Sequence, residues 1–161
     1  LEFSSSIMCL ILAGKVGSNI ASELGTMRVT QQIDALGIMG INSASYLILP
    51  KILGMLTLMP ALVIFANGMG FVGAYSTAYI GHILPPDDLT LGLQHSFNSW
   101  FVWMSIIKSE VFAFIITSVA SYCGYSVEGG SVEVGKASTT AVVVSSVLIL
   151  FSDVFLTNLL S

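Results

Sequence analysis

Charge is scarce in this chain. Of its 161 residues, five are Lys or Arg and nine are Asp or Glu, so 9% are charged, against 55% hydrophobic and a mean hydropathy of +0.91. Soluble domains carry roughly 25% charged residues. A chain this poor in charge cannot cover a globular surface with solvated groups, and lipid is the expected solvent for much of it. Basic residues are too few, at a net charge of −4, to build the positive face that nucleic acid requires, so no nucleic-acid partner is expected. Cysteine is limited to Cys9 and Cys123, both in apolar stretches, where they read as small buried hydrophobes rather than a disulfide or a metal pair.

Other absences bound the chemistry. No phosphate loop of the form GxxxxGK[ST] occurs, so ATP and Mg, if used, belong on another subunit and no cofactor is expected to bind here directly. No Ser-His-Asp or Ser-Lys arrangement stands out, and no catalytic residue is assigned: the chain is not expected to be an enzyme. His82 and His95 lie 13 residues apart with no cysteine nearby; they read as solvated loop residues, not a metal site. Gly68-Met-Gly70-Phe-Val-Gly73, with Asp88 about 20 residues on, is a literal dinucleotide fingerprint, but it sits inside an apolar run where no strand can precede it.

What is present is a series of apolar runs. A spanning helix needs about 20 mostly apolar residues. Residues 2–22 fall short of that and include Lys15; they read as a partial span, the cytoplasmic part of a helix that begins upstream. The chain opens at Leu1 with no basic region, and no A-x-A site follows the apolar stretch 7–13, so this reads as the tail of a membrane helix in a longer protein, not a signal peptide. Residues 44–84 form the longest run, with Pro50-Lys51 marking its start and Pro85-Pro86 its end. It holds no charge between Lys51 and Asp87, which favours one long tilted helix over two joined at Asn67-Gly68. Small residues form two rows along it, Ala66, Gly70, Ala74, Ala78 and Gly73, Thr77, Gly81, a pattern that predicts close packing against another helix. Residues 85–97 read as a polar connection with a short helix from Asp87 or Asp88, 98–123 as a span, 124–135 as a Gly-rich loop and 136–160 as the last span. The fold class is all-α integral membrane, one domain over 1–161.

Residues 23–43 differ from the rest. Val29, Ile33, Leu36 and Gly40 share one helical face and Arg28, Gln31, Gln32 and Ala35 the other, which predicts an amphipathic helix between spans. Spacing leaves two readings: a helix lying on the headgroups, which spacing favours, or one presented to a cytoplasmic partner. Lys15, Arg28 and Lys51 flank this segment and 85–97 carries no Lys or Arg, so the positive-inside rule puts 23–43 and 124–135 in the cytoplasm and 85–97 and the C-terminus outside.

Three charges fall inside the last two spans: Lys108, Glu110 and Asp153. Charges at membrane depth are costly and are paired or functional. At 1.5 Å per residue Lys108 lies about 15 Å, and Asp153 roughly 11 Å, from the external ends of their antiparallel helices, so the two can meet. Glu110, two positions on, faces elsewhere. The Lys108–Asp153 pair reads equally as an ion pair that locks two helices and as a polar point in a transport path.

The segment AGKVGSNIASELGTMRVTQQIDALGIMGINSASYLILPKILG (Ala13 to Gly54) closely resembles the MlaE/YrbE permease family, and so do IKSEVFAFIIT (Ile107 to Thr117), Cys123-Gly124-Tyr125 and STTAVVVSSVLILFSDVFLT (Ser138 to Thr157). The resemblance implies a permease subunit of an ABC transporter in a bacterial inner membrane, moving phospholipids between inner and outer membranes. It implies a homodimer working with a cytoplasmic ABC ATPase and a periplasmic MCE-domain protein. It makes 23–43 the coupling helix, with Glu23, Arg28, Gln31, Gln32 and Asp34 as ATPase-coupling residues, and it matches Lys108 and Asp153 to charged positions of the family but not Glu110. The chain departs from the family in three places: Glu2-Phe-Ser-Ser5 stands for ELGP, Gln31 for a glutamate, and Asn42-Ser43 for Asp-Pro. The family's first span and interfacial helix are not in this sequence. The alternative reading is a truncated membrane scaffold that does not transport.

Overall fold

The computed structural model describes residues 1–81 and 85–161. Every element among them is a helix. Helix α1 (Glu2–Leu12), a π-helical turn (Ala13–Gly17) and α2 (Ser18–Val29) form one rod; α3 (Gln32–Ile38) follows, then α4 (Ser43–Gly81), α5 (Pro86–Ser96), α6 (Ser99–Tyr125) and α7 (Ser131–Leu160). Four helices are long and apolar enough to cross a membrane: Glu2–Val29, Ser43–Gly81, Ser99–Tyr125 and Ser131–Leu160. They alternate in direction, and α6 is the hub, packing on α1, α2, α4 and α7. Its inner face buries Lys108, Phe112, Ile116 and Ala120, against Cys9, Met59 and Ile149 at one level and Ile20, Leu24 and Ala141 at the next.

Several boundaries differ from the sequence reading. The partial span 2–22 continues unbroken to Val29, and its 28 residues suffice to cross. The polar residues from Glu23 onward do not end the helix. The single amphipathic helix expected over 23–43 is instead the end of α2, a turn, and the seven-residue α3. Two C-terminal caps divide it. Thr30 ends α2, Gln31 adopts the left-handed conformation at φ 62°, and its N–H donates to Arg28 O at 3.1 Å. At the end of α3, Gly40 (φ 77°) donates to Gly37 O and Ile41 to Leu36 O, both at 3.1 Å, which closes a Schellman motif. Helix α4 begins at Ser43, so Pro50 lies inside it, as does Pro60. Membrane helices accommodate such prolines. At 39 residues α4 is about 58 Å long, well beyond the hydrocarbon thickness. The end of the predicted 44–84 span, residues 82–84 with His82, lies outside the described residues. The Gly-rich loop is shorter than 124–135, because α6 runs to Tyr125 and α7 starts at Ser131.

The packing expected of the small-residue stripe on α4 is not made among the described residues. Gly70, Gly73 and Ala74 are exposed, Ala66 and Ala78 half-buried, and a Cβ added at Gly70 or Gly73 would meet nothing within 4 Å. The close helix contact is made instead by Ala13, Gly17, Ala21 and Gly25, a run of small residues four apart on the first rod, all buried. Gly124 of α6 sits on this row, where an added Cβ would lie 2.6 Å from Ala21 O. Small residues let two backbones approach this closely in lipid.

Candidate functional site

Two polar constellations stand out, one inside the bundle and one at the end of it where α3 lies. The inner one centres on Lys108, which is fully buried. Its Nζ donates to Thr157 Oγ1 at 2.7 Å and to Glu2 Oε1 at 3.3 Å, and lies 3.2 Å from Asp153 Oδ1. The last contact is an ion pair without an aligned hydrogen bond, since Asp153 Oδ1 is buried and accepts none. The Thr157 hydroxyl donates in turn to Asp153 O at 2.7 Å. Three helices thus meet at one ammonium: α1 through Glu2, α6 through Lys108, and α7 through Asp153 and Thr157. The depth count from the two helix ends put Lys108 and Asp153 together, and they are together; Glu2 and Thr157 were not foreseen. One cation faces two carboxylates, so the cluster carries a formal charge of −1. Glu110 is half-buried and makes no ion pair or hydrogen bond among the described residues.

One turn before Lys108 on α6, Ser105 is buried and its hydroxyl accepts a hydrogen bond from Asn67 Nδ2 at 3.3 Å. Asn67 is 8% exposed and its Oδ1 has no partner among the described residues. A half-satisfied buried amide costs more than an apolar side chain of similar size. Asn67→Leu is therefore expected to raise the thermal unfolding midpoint in detergent, by an amount matching about 1 kcal/mol. Ser105 stays satisfied in that variant by donating to Val102 O. A lower midpoint would mean that the amide has a partner the bundle needs.

At the end of the bundle where α3 lies, Arg28 donates to Asp34 Oδ1 at 3.2 Å and lies over the Tyr125 ring, 5.6 Å from its centroid. The Tyr125 and Ser43 hydroxyls share a hydrogen bond of 2.8 Å. Lys51 Nζ donates to Glu23 Oε2 at 2.7 Å, joining α2 to α4. Of the five residues assigned to coupling, Arg28 and Asp34 meet on one side of the turn and Glu23 pairs separately, while Gln31 and Gln32 are exposed without side-chain hydrogen bonds among the described residues. The turn is anchored by Ile33, 2% exposed, and ends in an apolar tip: Ile38 is 88% and Met39 71% exposed. Tyr125 and Ser43 belong to this cluster and were missed. The signal for Tyr125 was its place in the Cys123-Gly124-Tyr125 stretch that resembles the family, which gave it no role in the turn.

Among the described residues, an all-α bundle of four spans with a buried ionic cluster defines a multi-pass integral membrane protein. The family model described as Permease MlaE matches residues 1–159, and the chain belongs to that family. It is 38% identical over 98% of its length to a probable ABC transporter permease protein of Rickettsia felis, covering 61% of that protein. A probable ABC transporter permease protein of Synechocystis is 32% identical, over 99% of this chain and 60% of the relative. The chloroplastic protein TRIGALACTOSYLDIACYLGLYCEROL 1 of Arabidopsis thaliana is 33% identical, over 98% of this chain and 45% of the relative. The chain thus spans about three-fifths of the first two relatives and less than half of the third.

Proposed function

We propose that this chain is the membrane permease subunit of an ABC transporter that moves phospholipids between the inner and outer membranes, driven by ATP hydrolysis in a partner subunit. The observation that carries this reading is the turn between α2 and α4. It is a short helix held by Ile33 beneath and presenting Ile38 and Met39, an apolar tip that a monomer in water would not expose without a partner. Family membership and the names of the Rickettsia and Synechocystis relatives support an ABC ATPase as that partner. On this reading α3 faces the cytoplasm, α5 and the C-terminus face the periplasm, and a periplasmic MCE-domain protein receives or delivers the lipid. The open Gly70-Gly73-Ala74 face of α4 suits a second copy of the chain.

The test uses the full-length transporter in proteoliposomes. Replacing Arg28 and Asp34 together by Ala removes an exposed ion pair, which costs the fold no more than about 1 kcal/mol. ATP-driven phospholipid transfer is nevertheless expected to fall by at least about fivefold, because the pair orients the turn that the ATPase would move. Unchanged ATP hydrolysis together with unchanged transfer would remove the coupling role from this turn.

A further inference from the structure

Helix α3 hangs between two spans. It packs on α2 and α4 and, among the described residues, makes no backbone approach to α6 or α7. Its link to α6 runs through side chains. Asp34 on α3 holds Arg28 at the end of α2, Arg28 lies over the ring of Tyr125, and Tyr125 is the last residue of α6. The Tyr125 hydroxyl reaches Ser43, the first residue of α4. One aromatic side chain therefore touches the helix that enters the turn, the helix that leaves it, and the hub of the bundle. Its two contacts differ in kind: the ring face attracts the guanidinium and tolerates sliding, whereas the hydroxyl fixes one distance to Ser43.

From Tyr125 the hub runs unbroken to Lys108, 17 residues or about 26 Å away, and no proline interrupts it. Helix α4, by contrast, carries Pro50 and Pro60 between the turn and the level of Asn67. Of the spans that Tyr125 joins, α6 is the stiffer route from the turn to the buried ionic cluster.

We propose that Tyr125 is a positioning residue that keeps the ends of α2, α4 and α6 in register, so that a displacement of α3 reaches Lys108 instead of being absorbed at the turn. The proposal rests on the ATP-coupled reading above. It concerns transmission, so its signature is the ratio of lipid moved to ATP hydrolysed, not the rate of either alone.

The experiment measures both in proteoliposomes holding the full-length transporter, with a fluorescent phospholipid as probe. Tyr125→Leu removes both contacts, Tyr125→Phe keeps the ring and loses the hydroxyl, and Ser43→Ala removes the hydroxyl's partner. For Tyr125→Leu the ratio is expected to fall about fivefold while ATP hydrolysis stays within about twofold of the unmodified transporter. Tyr125→Phe and Ser43→Ala should each lower the ratio by roughly twofold to threefold, and the double variant should be no worse than either single one. An unchanged ratio in all variants overturns the proposal. So does an additive double variant, or a loss of transfer that only tracks a loss of assembled protein. If Tyr125→Leu fails to assemble, the Phe and Ala variants and their combination decide. If the unmodified transporter moves no lipid on addition of ATP, the functional reading itself falls, and the role of Tyr125 with it.

Discussion

Lys108→Met is expected to lower the amount of assembled protein in the membrane sharply and to reduce its unfolding midpoint in detergent. The substitution keeps the length and volume of the side chain and removes only the ammonium. Left behind are Glu2 and Asp153, each about 3.2–3.3 Å from the vacated position, together with a Thr157 hydroxyl that loses its donor. Breaking a buried ion pair from one side costs about 3–5 kcal/mol, because the remaining charge is desolvated without compensation. The lower figure applies here, since Glu2 is 37% and Asp153 28% exposed and part of each carboxylate stays solvated. About 3 kcal/mol is still a large share of a domain's total stability. The informative variant is the neutral set Lys108→Met, Glu2→Gln, Asp153→Asn, in which no charge is stranded. It is expected to recover most of the lost protein. The recovered protein then separates the two readings of the cluster: if it transfers phospholipid normally, the cluster only locks α1, α6 and α7 together; if it assembles but transfers nothing, the charges serve the transport path. A Lys108→Met protein as stable as the unmodified one would show that losing the ammonium strands no buried charge.

The Lys108–Asp153 contact was legible in the sequence because it depends on quantities that do not vary: the rise of a helix, the antiparallel sense of consecutive spans, and the cost of an unpaired charge in lipid. Glu2 was not, because its depth depends on where α1 begins relative to α6, and composition does not report that. The break at Gln31 was hidden for a different reason. A left-handed residue at a helix end is normally announced by glycine, and glutamine there costs about 1–2 kcal/mol relative to right-handed geometry. Gly40, nine residues on, performs the same service with the expected residue, and a stop there could have been read. The apolar face drawn through Val29, Ile33, Leu36 and Gly40 therefore crossed a turn and joined residues that do not share a helix; only Ile33 of the four is buried. The charge-free run favoured one helix through Asn67-Gly68, and α4 does pass straight through Asn67, but a carboxamide deep in an apolar run gave no sign of its contact with Ser105. The family pattern covers Tyr125 and, as a departure, Ser43, but not their pairing: they lie 94 and 12 residues from Gln31, and only the fold brings them to one place.

Gly124→Ala is expected to destabilise the bundle more than any other single methyl addition at the glycines named above. The new Cβ would stand 2.6 Å from Ala21 O, 2.8 Å from Leu24 Cβ and 3.0 Å from Ala21 Cα. Two of these are backbone atoms of α2, so no rotamer change can relieve the overlap and the helices must separate. Overpacking of this kind costs about 1–3 kcal/mol, and the separation would also release Gly17 and Ala21 from their close contact with α6. Gly73→Ala provides the comparison, since it adds the same methyl where nothing lies within 4 Å. Its unfolding midpoint in detergent should match that of the unmodified chain, while Gly124→Ala falls by several degrees. The two glycines thus do different work although both lie in runs of small residues: Gly124 sets the distance between α2 and α6 inside the chain, and Gly73 faces outward. If Gly73→Ala also lowers the midpoint, and does so only at protein concentrations where the chain self-associates, then the α4 stripe closes against a second copy, and the row of small residues has found its partner outside the chain. Equal midpoints for both variants at every concentration would mean that the approach at Gly124 is looser than 2.6 Å implies.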